Sequence, residues 1–191
     1  MQENENSQQT EEKENLNQPA QKSFWINLLI SVFDFVKTVA TIIILAIITR
    51  VFIVQPYIVE GLSMEQSFQN NDYLITEKIS YELRAPKRGE VIIFHPPDNP
   101  SVNYIKRIVG LPGDTVEIKN GSVYINNSKL SEPYLKSNEE TLSSQKNTYS
   151  MTLKDDEYFV FGDNRNHSRD SREIGAVPKS NIVSRVWFRL L

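Results

Sequence analysis

The sequence predicts a mainly β domain, closed or partly closed, carried behind one N-terminal transmembrane helix. Three observations lead there. After Val54 the chain breaks into many short strand-like runs separated by turn residues, with little helical periodicity. One of those breaks, Asn120-Gly121, sits between two alternating runs and is a strong hairpin signal. Ahead of them lies an apolar segment of membrane length.

Composition narrows the function classes. A chain of 191 residues suits one globular domain plus an accessory segment. With 24% charged residues and a net charge of −3 there is no basic footprint, so a nucleic-acid partner is not expected. The absence of cysteine excludes disulfides, thiolate catalysis and Cys-based zinc sites. His95 and His167 are the only histidines, too few for a His-rich metal site, and no cofactor is expected.

Residues 1–23 are dominated by Gln, Glu, Asn and Ser and lack the apolar surface that offsets ordering entropy, so they are expected to be a disordered tail. They are acidic and precede a late hydrophobic stretch, which is unlike a cleavable signal peptide. Residues 24–54 form the membrane segment, with a single helix over roughly 34–54. Its uncharged centre, Thr38–Thr49, is shorter than the roughly 20 residues that cross a hydrocarbon core. Phe33-Asp34-Phe35-Val36 and Val51-Phe52-Ile53-Val54 extend it, and Lys37 and Arg50 can snorkel to the headgroups. Trp25 and Tyr57 flank it as interfacial anchors do; the basic residues on the two sides leave its orientation open.

Residues 55–191 form the β domain. Asp72–Thr76 and Glu90–Phe94 read as strands, and Pro96-Pro97-Asp98-Asn99-Pro100 as a loop delivering a strand around Lys106 that pairs with Val91–Phe94. Leu111-Pro112-Gly113-Asp114 suits a type II turn. Thr115–Lys119 and Ser122–Asn126 form the Asn-Gly hairpin, with a type I′ turn. Residues 127–153 are polar and weakly patterned and are expected to be an excursion from the core. Strands return at Tyr158–Phe161 and Ile182–Leu191.

Three clusters could carry chemistry. Ser63 lies in the glycine turn Glu60-Gly61-Leu62-Ser63-Met64, and a serine hydroxyl needs a base before it attacks a carbonyl. Lys106 lies in Asn103-Tyr104-Ile105-Lys106-Arg107-Ile108-Val109, where strand alternation sets it between Tyr104 and Ile108 on one face. That setting penalises the ammonium form, as a lysine base requires; on pattern alone, a lysine snorkelling from an edge strand is the more ordinary reading. The third cluster runs from Phe161 to Arg172 and packs Asp163, Asp170, Ser168, Ser171 and three arginines after an apolar strand. Asp163 and Asp170 could in principle share a cation, but few further ligands are evident.

The order of these motifs resembles bacterial type I signal peptidase, of the Gram-positive-like branch: an apolar anchor, Gly61-Leu62-Ser63-Met64, then Tyr104 to Asp114, then Gly162-Asp163-Asn164-Arg165 with Ser168, Asp170, Ser171 and Arg172. The likeness runs from about residue 24 to the end. It implies strongly bent antiparallel sheets and a membrane-anchored Ser–Lys endopeptidase that removes signal peptides from secreted preproteins. It further implies a single-pass plasma-membrane protein with its N-terminus in the cytoplasm and its catalytic domain outside, working at the lipid bilayer near the export machinery.

Residue by residue, Ser63 is similar to the family nucleophile and Lys106 to its general base. Ser168 matches the position whose hydroxyl orients that lysine, Asp170 and Arg172 a supporting ion pair, and Asp163 the same box. Some relatives carry an oxyanion-stabilising serine where this chain has Gly61, which leaves the backbone N–H of Ser63 as donor. One departure stands out: the family pattern after the nucleophile is Met-x-Pro-Thr, against Met64-Glu65-Gln66-Ser67 here. Gln66 removes a φ-fixing proline, so the nucleophile loop is expected to be less rigid.

Two rival readings stay open. A membrane-tethered relative could bind exported peptides without processing them, with Gln66 as its support. A self-cleaving repressor-type Ser–Lys peptidase is disfavoured, because the anchor stands where such a protein carries a DNA-binding domain.

Overall fold

From Val54 onward the chain alternates short apolar runs with turns, and in the computed structural model these runs assemble into two antiparallel sheets. The structure describes residues 3–52, 54–136, 139–142 and 148–190. The chain divides into two units, Met1–Thr49 and Arg50–Leu191.

The first unit is helical. Helix α1 spans Glu3–Phe52, so the polar segment expected to be disordered is helical backbone from Glu3. Glu, Gln and Lys are fair helix formers, and composition had weighed only their inability to bury surface. The apolar stretch long enough to cross a membrane is Phe24–Ile47, starting earlier than the 34–54 read from sequence. The difference is the run Phe24–Phe33, which the sequence reading included in the membrane segment 24–54 but left outside the helix at roughly 34–54. Thr38 and Thr41 turn their hydroxyls back onto the carbonyls of Asp34 and Lys37, which satisfies them within the helix.

The second unit holds strands β1 (Val54–Ile58), β2 (Tyr73–Glu77), β3 (Val91–Phe94), β4 (Tyr104–Gly110), β5 (Thr115–Lys119), β6 (Ser122–Ile125), β7 (Ser128–Lys129), β8 (Thr148–Thr152), β9 (Glu157–Phe161), β10 (Val177–Pro178) and β11 (Ile182–Leu190). A short helix α2 (Ile79–Leu83) follows β2, and α3 (Ser171–Ile174) follows β9. The larger sheet runs β1-β2-β11-β3-β4-β9-β10 and the smaller one β7-β6-β5-β8. Every pairing is antiparallel. The expected mainly β architecture and its strand positions are present.

Local chemistry accounts for the turns. Asn120 and Gly121 have φ of 50° and 71°, the paired positive values of a type I′ hairpin. Gly113 at φ 81° and the Asp114 N–H donating to the Leu111 carbonyl at 3.0 Å close the predicted type II turn. The sheet bends where β4 passes to β5. Register shifts between Ile108 and Gly110, and a Cβ at Gly110 would lie 2.6–2.8 Å from Val116, Leu153 and Phe159. Only glycine lets the two sheets approach this closely.

Residues 127–153 correct the sequence reading. Their described strands belong to the smaller sheet rather than to an excursion: β8 pairs with β5 along its whole length, and β7 extends β6. Tyr149 and Met151 pack onto the core of Val109, Val116, Ile118, Phe159 and Phe161. Their alternation with Thr and Ser is a strand period, hidden by its polar company. A second cluster, Val59, Met64, Leu74, Val91, Ile93 and Ile105, lies beneath the Ser63 turn. All four residues of β3 are buried, as fits a central strand covered on both faces.

Candidate active site

Ser63 is held by a turn built for it. Gly61, at φ 93°, occupies a region few side chains tolerate, and its N–H donates to Asn70 Oδ1 at 2.8 Å. Met64, fully buried, plugs the core below, and its carbonyl accepts from the N–H groups of Ser67 and Phe68. From the other side, Asn164 N–H donates to the Ser63 carbonyl at 3.0 Å, tying the turn to the segment after β9. The Ser63 N–H donates to no backbone carbonyl among the described residues.

Lys106 lies in the middle of β4, opposite Ile92 of β3, and is 4% exposed. Its Nζ donates to Ser63 Oγ at 2.8 Å and to the Ile105 carbonyl at 2.8 Å. It also lies 5.3 Å from the centroid of the Tyr104 ring, the aromatic neighbour that alternation predicted. Burial lowers its pKa from the ordinary 10.5 to about 8, against the opposing pull of Asp170 and Asp163. Serine and lysine, far apart in sequence, therefore meet at hydrogen-bond distance, and about a tenth of the lysine is neutral at pH 7, a fraction that grows as pH rises through 8.

Around this pair the third cluster forms a scaffold of ion pairs. Asp170, fully buried, takes both arms of Arg172 at 2.8 Å and accepts from the Gly162 N–H at 3.1 Å. Asp163, also fully buried, takes Arg107 Nε at 2.9 Å, Arg107 Nη2 at 2.6 Å and the Ser67 hydroxyl at 2.5 Å. Both carboxylates are thus occupied by guanidinium groups, which removes the donor set a shared cation would need. Ser168 is placed differently from what the resemblance implies. Its Oγ is buried, has no hydrogen-bond partner among the described residues, and lies against Gly162 rather than being bonded to Lys106. A Cβ at Gly162 would clash with Ser168 and come within 2.5 Å of the Ser63 carbonyl, so this glycine is the hinge that lets the loop reach the serine.

Several members of this scaffold escaped the sequence reading. Arg165 is buried to 2% exposure; it pairs with Glu132 at 2.5 Å and also donates to the Thr141 hydroxyl. Its guanidinium lies 4.6 Å from the Phe161 ring centroid. Glu132 and Thr141 come from the segment between β7 and β8, where no pattern marks them. Arg107 could have been found, since it immediately follows Lys106 and alternation turns it to the opposite side. His95 and His167 are bystanders to the pair: Nδ1 of His95 lies 3.1 Å from the Val102 carbonyl, and Nδ1 of His167 lies 3.2 Å from Asn164 Oδ1.

A cleft of about 670 Å³ opens beside Ser63 and Lys106. Residues Tyr57–Ser63 line one side and Val102–Lys106 another, with Leu74, Ile93, His167 and Arg169 completing it. Strand β1 is an edge of the larger sheet. Val59 spends its N–H and carbonyl on Asp72 and Asn71, so alternation turns the backbone groups of Ile58 and Glu60 away from that pairing. The cleft therefore offers a short open strand edge that ends at a serine hydroxyl.

A family profile described as signal peptidase, peptidase S26, matches residues 32–191. A Synechocystis protein named "Probable signal peptidase I-2" is 42% identical over 80% of this chain and 70% of its own length. A signal peptidase I of Bacillus licheniformis is 35% identical over 83% of this chain and 88% of its own. A crystal structure of a signal peptidase I from Enterococcus faecalis V583 superposes with a TM-score of 0.47 at 34% identity, covering 55% of this chain and 98% of that one. With the profile spanning most of the sequence and relatives of this identity over most of their length, the chain belongs to the signal peptidase family, peptidase S26.

Proposed function

We propose that this protein is a membrane-anchored endopeptidase that cleaves signal peptides from exported preproteins, with Ser63 as nucleophile and Lys106 as general base. The observation that carries the assignment of roles is the 2.8 Å separation of Lys106 Nζ and Ser63 Oγ, with the amine buried. Family membership supports the substrate class.

The geometry supports an acyl-transfer reaction at Ser63. The extended end of the signal peptide lies along the open edge at Ile58 and Glu60, and its small side chains enter the cleft. Neutral Lys106 accepts the Ser63 hydroxyl proton as the serine oxygen bonds to the scissile carbonyl carbon. The Ser63 N–H stabilises the resulting oxyanion, a contribution commonly worth about 3 kcal/mol per donor. Lys106, now an ammonium, gives its proton to the departing amine, and the peptide C–N bond breaks. Water, deprotonated by the same amine, then releases the acyl group from Ser63. Asp163 and Asp170, each neutralised by an arginine, hold the loops in place without acting as proton carriers.

The anchor fits this task. Only a short stretch of chain separates the apolar helix from Ser63, which keeps the site near a bilayer from which signal peptides emerge. In this reading residues 1–23 lie in the cytoplasm, the domain from residue 55 lies outside the plasma membrane, and the export machinery delivers substrate nearby. Tagging each end of the chain and testing protease accessibility in intact cells checks the orientation: the C-terminal tag should be lost and the N-terminal tag protected, and the opposite pattern contradicts it. Processing of a preprotein by Ser63→Ala and Lys106→Ala variants tests the roles themselves.

A further inference from the structure

Gln66 follows the nucleophile by three positions, where the family pattern has a proline. It is half-buried, and its Oε1 accepts from the Lys136 N–H at 2.8 Å. Lys136 lies between β7 and β8, in the chain of the smaller sheet, whereas Ser63 lies in a turn of the larger one. The same segment makes a second contact with the site. Tyr134 lays its ring over the Arg107 guanidinium, 4.1 Å from Cζ to centroid. That guanidinium in turn holds Asp163 and, at 3.1 Å, the Ser67 hydroxyl.

The short turn from Ser63 to Phe68 is therefore gripped at neighbouring residues: directly at Gln66, and at Ser67 through Arg107. The backbone N–H of Gln66 bonds to no backbone carbonyl among the described residues, while the Ser67 and Phe68 N–H groups close the turn around it onto the Met64 carbonyl at 2.8 and 2.7 Å. A proline would restrain the backbone by closing a ring onto nitrogen. Here a side-chain oxygen can restrain it by bonding across to another segment.

We propose that Gln66 is a positioning residue that fastens the Ser63 turn to the Tyr134–Lys136 segment and so holds the hydroxyl within reach of Lys106. The inference rests on the Ser63–Lys106 reading. It replaces the looser nucleophile loop expected from sequence with one secured by a tether. It also favours a processing enzyme over a peptide-binding relative, because a restrained nucleophile serves bond cleavage.

The test is steady-state cleavage of a preprotein by the full-length chain in detergent micelles. Gln66→Ala removes the acceptor and should lower kcat about tenfold with KM within about twofold, since only the nucleophile's placement changes. Gln66→Glu keeps an oxygen that accepts from the same N–H and should stay within about threefold of the parent. The acid limb of the kcat profile should not move in Gln66→Ala, because the surroundings of Lys106 are untouched. A Gln66→Ala enzyme with parental kcat, a shifted acid limb, or a Gln66→Glu enzyme as slow as the alanine variant would overturn the proposal. Ser63→Ala run alongside separates the two layers: residual cleavage there defeats the Ser–Lys reading, whereas an inert Ser63→Ala beside a fully active Gln66→Ala defeats only the positioning role.

Discussion

Lys106 pays for its position. Folding takes its amine from water into a site 4% exposed, and its pKa falls from 10.5 to about 8. Because the folded value lies below the unfolded one, the native state binds this proton less tightly. Stability therefore rises with pH between about 8 and 10.5, and below about 8 the full penalty of a buried ammonium applies. Lys106→Met should accordingly abolish cleavage while raising stability at pH 7 by about 1–3 kcal/mol, an advantage that shrinks as pH climbs from about 8 to about 10.5. Thermal melting of parent and variant at several pH values reads this directly. Activity should show the mirror behaviour, with kcat/KM rising toward alkaline pH through an acid limb near 8. Ser63, Lys106, Asp163, Asp170 and Arg172 were named because the order of their motifs resembles the signal peptidase family; the local pattern at each alone also fits an ordinary turn or strand residue. The pairing of Arg165 with Glu132 was not legible, because it joins segments distant in sequence and no local pattern marks Glu132.

Glycines at two crossings decide whether the elements can meet. At Gly110 the bulged end of β4 passes under Val116, Leu153 and Phe159, and at Gly162 the end of β9 presses on Ser168 and the Ser63 carbonyl. Gly110→Ala should destabilise the domain by about 1–3 kcal/mol, the usual range for overpacking. Gly162→Ala should cost kcat as well as stability, because a Cβ there displaces the Ser168 side chain and the Ser63 carbonyl. Denaturant unfolding and steady-state kinetics on both variants separate the two effects. Turns and apolar strands were readable at this scale, since Asn-Gly, Pro-Gly and runs such as Val91–Phe94 encode their geometry locally. Strand β8 was not, because its apolar side chains, Tyr149 and Met151, lie in a polar stretch, and its pairing with β5 is a long-range event.

For the molecule as a whole, the division into an apolar helix and a β domain suggests how the work is shared. The helix contributes location, and the unit Arg50–Leu191 contributes the cleft and its chemistry. A chain beginning near Arg50 should cleave a soluble peptide with a kcat close to that of the full-length protein. On a membrane-inserted preprotein it should be slower by about 10–100-fold, since tethering acts through effective concentration. Equal loss on both substrates would mean that the helix supports the fold of the domain as well as its placement.

The central claim is that one serine and one buried lysine perform the cleavage. Its most direct test is the processing of a purified preprotein by full-length Ser63→Ala and Lys106→Ala proteins whose melting temperatures show that they are folded. The account predicts that each variant loses at least about 10³-fold in kcat/KM, with the double variant no worse than either single one, because the two residues act as a unit. Substantial residual cleavage by either folded variant would contradict it.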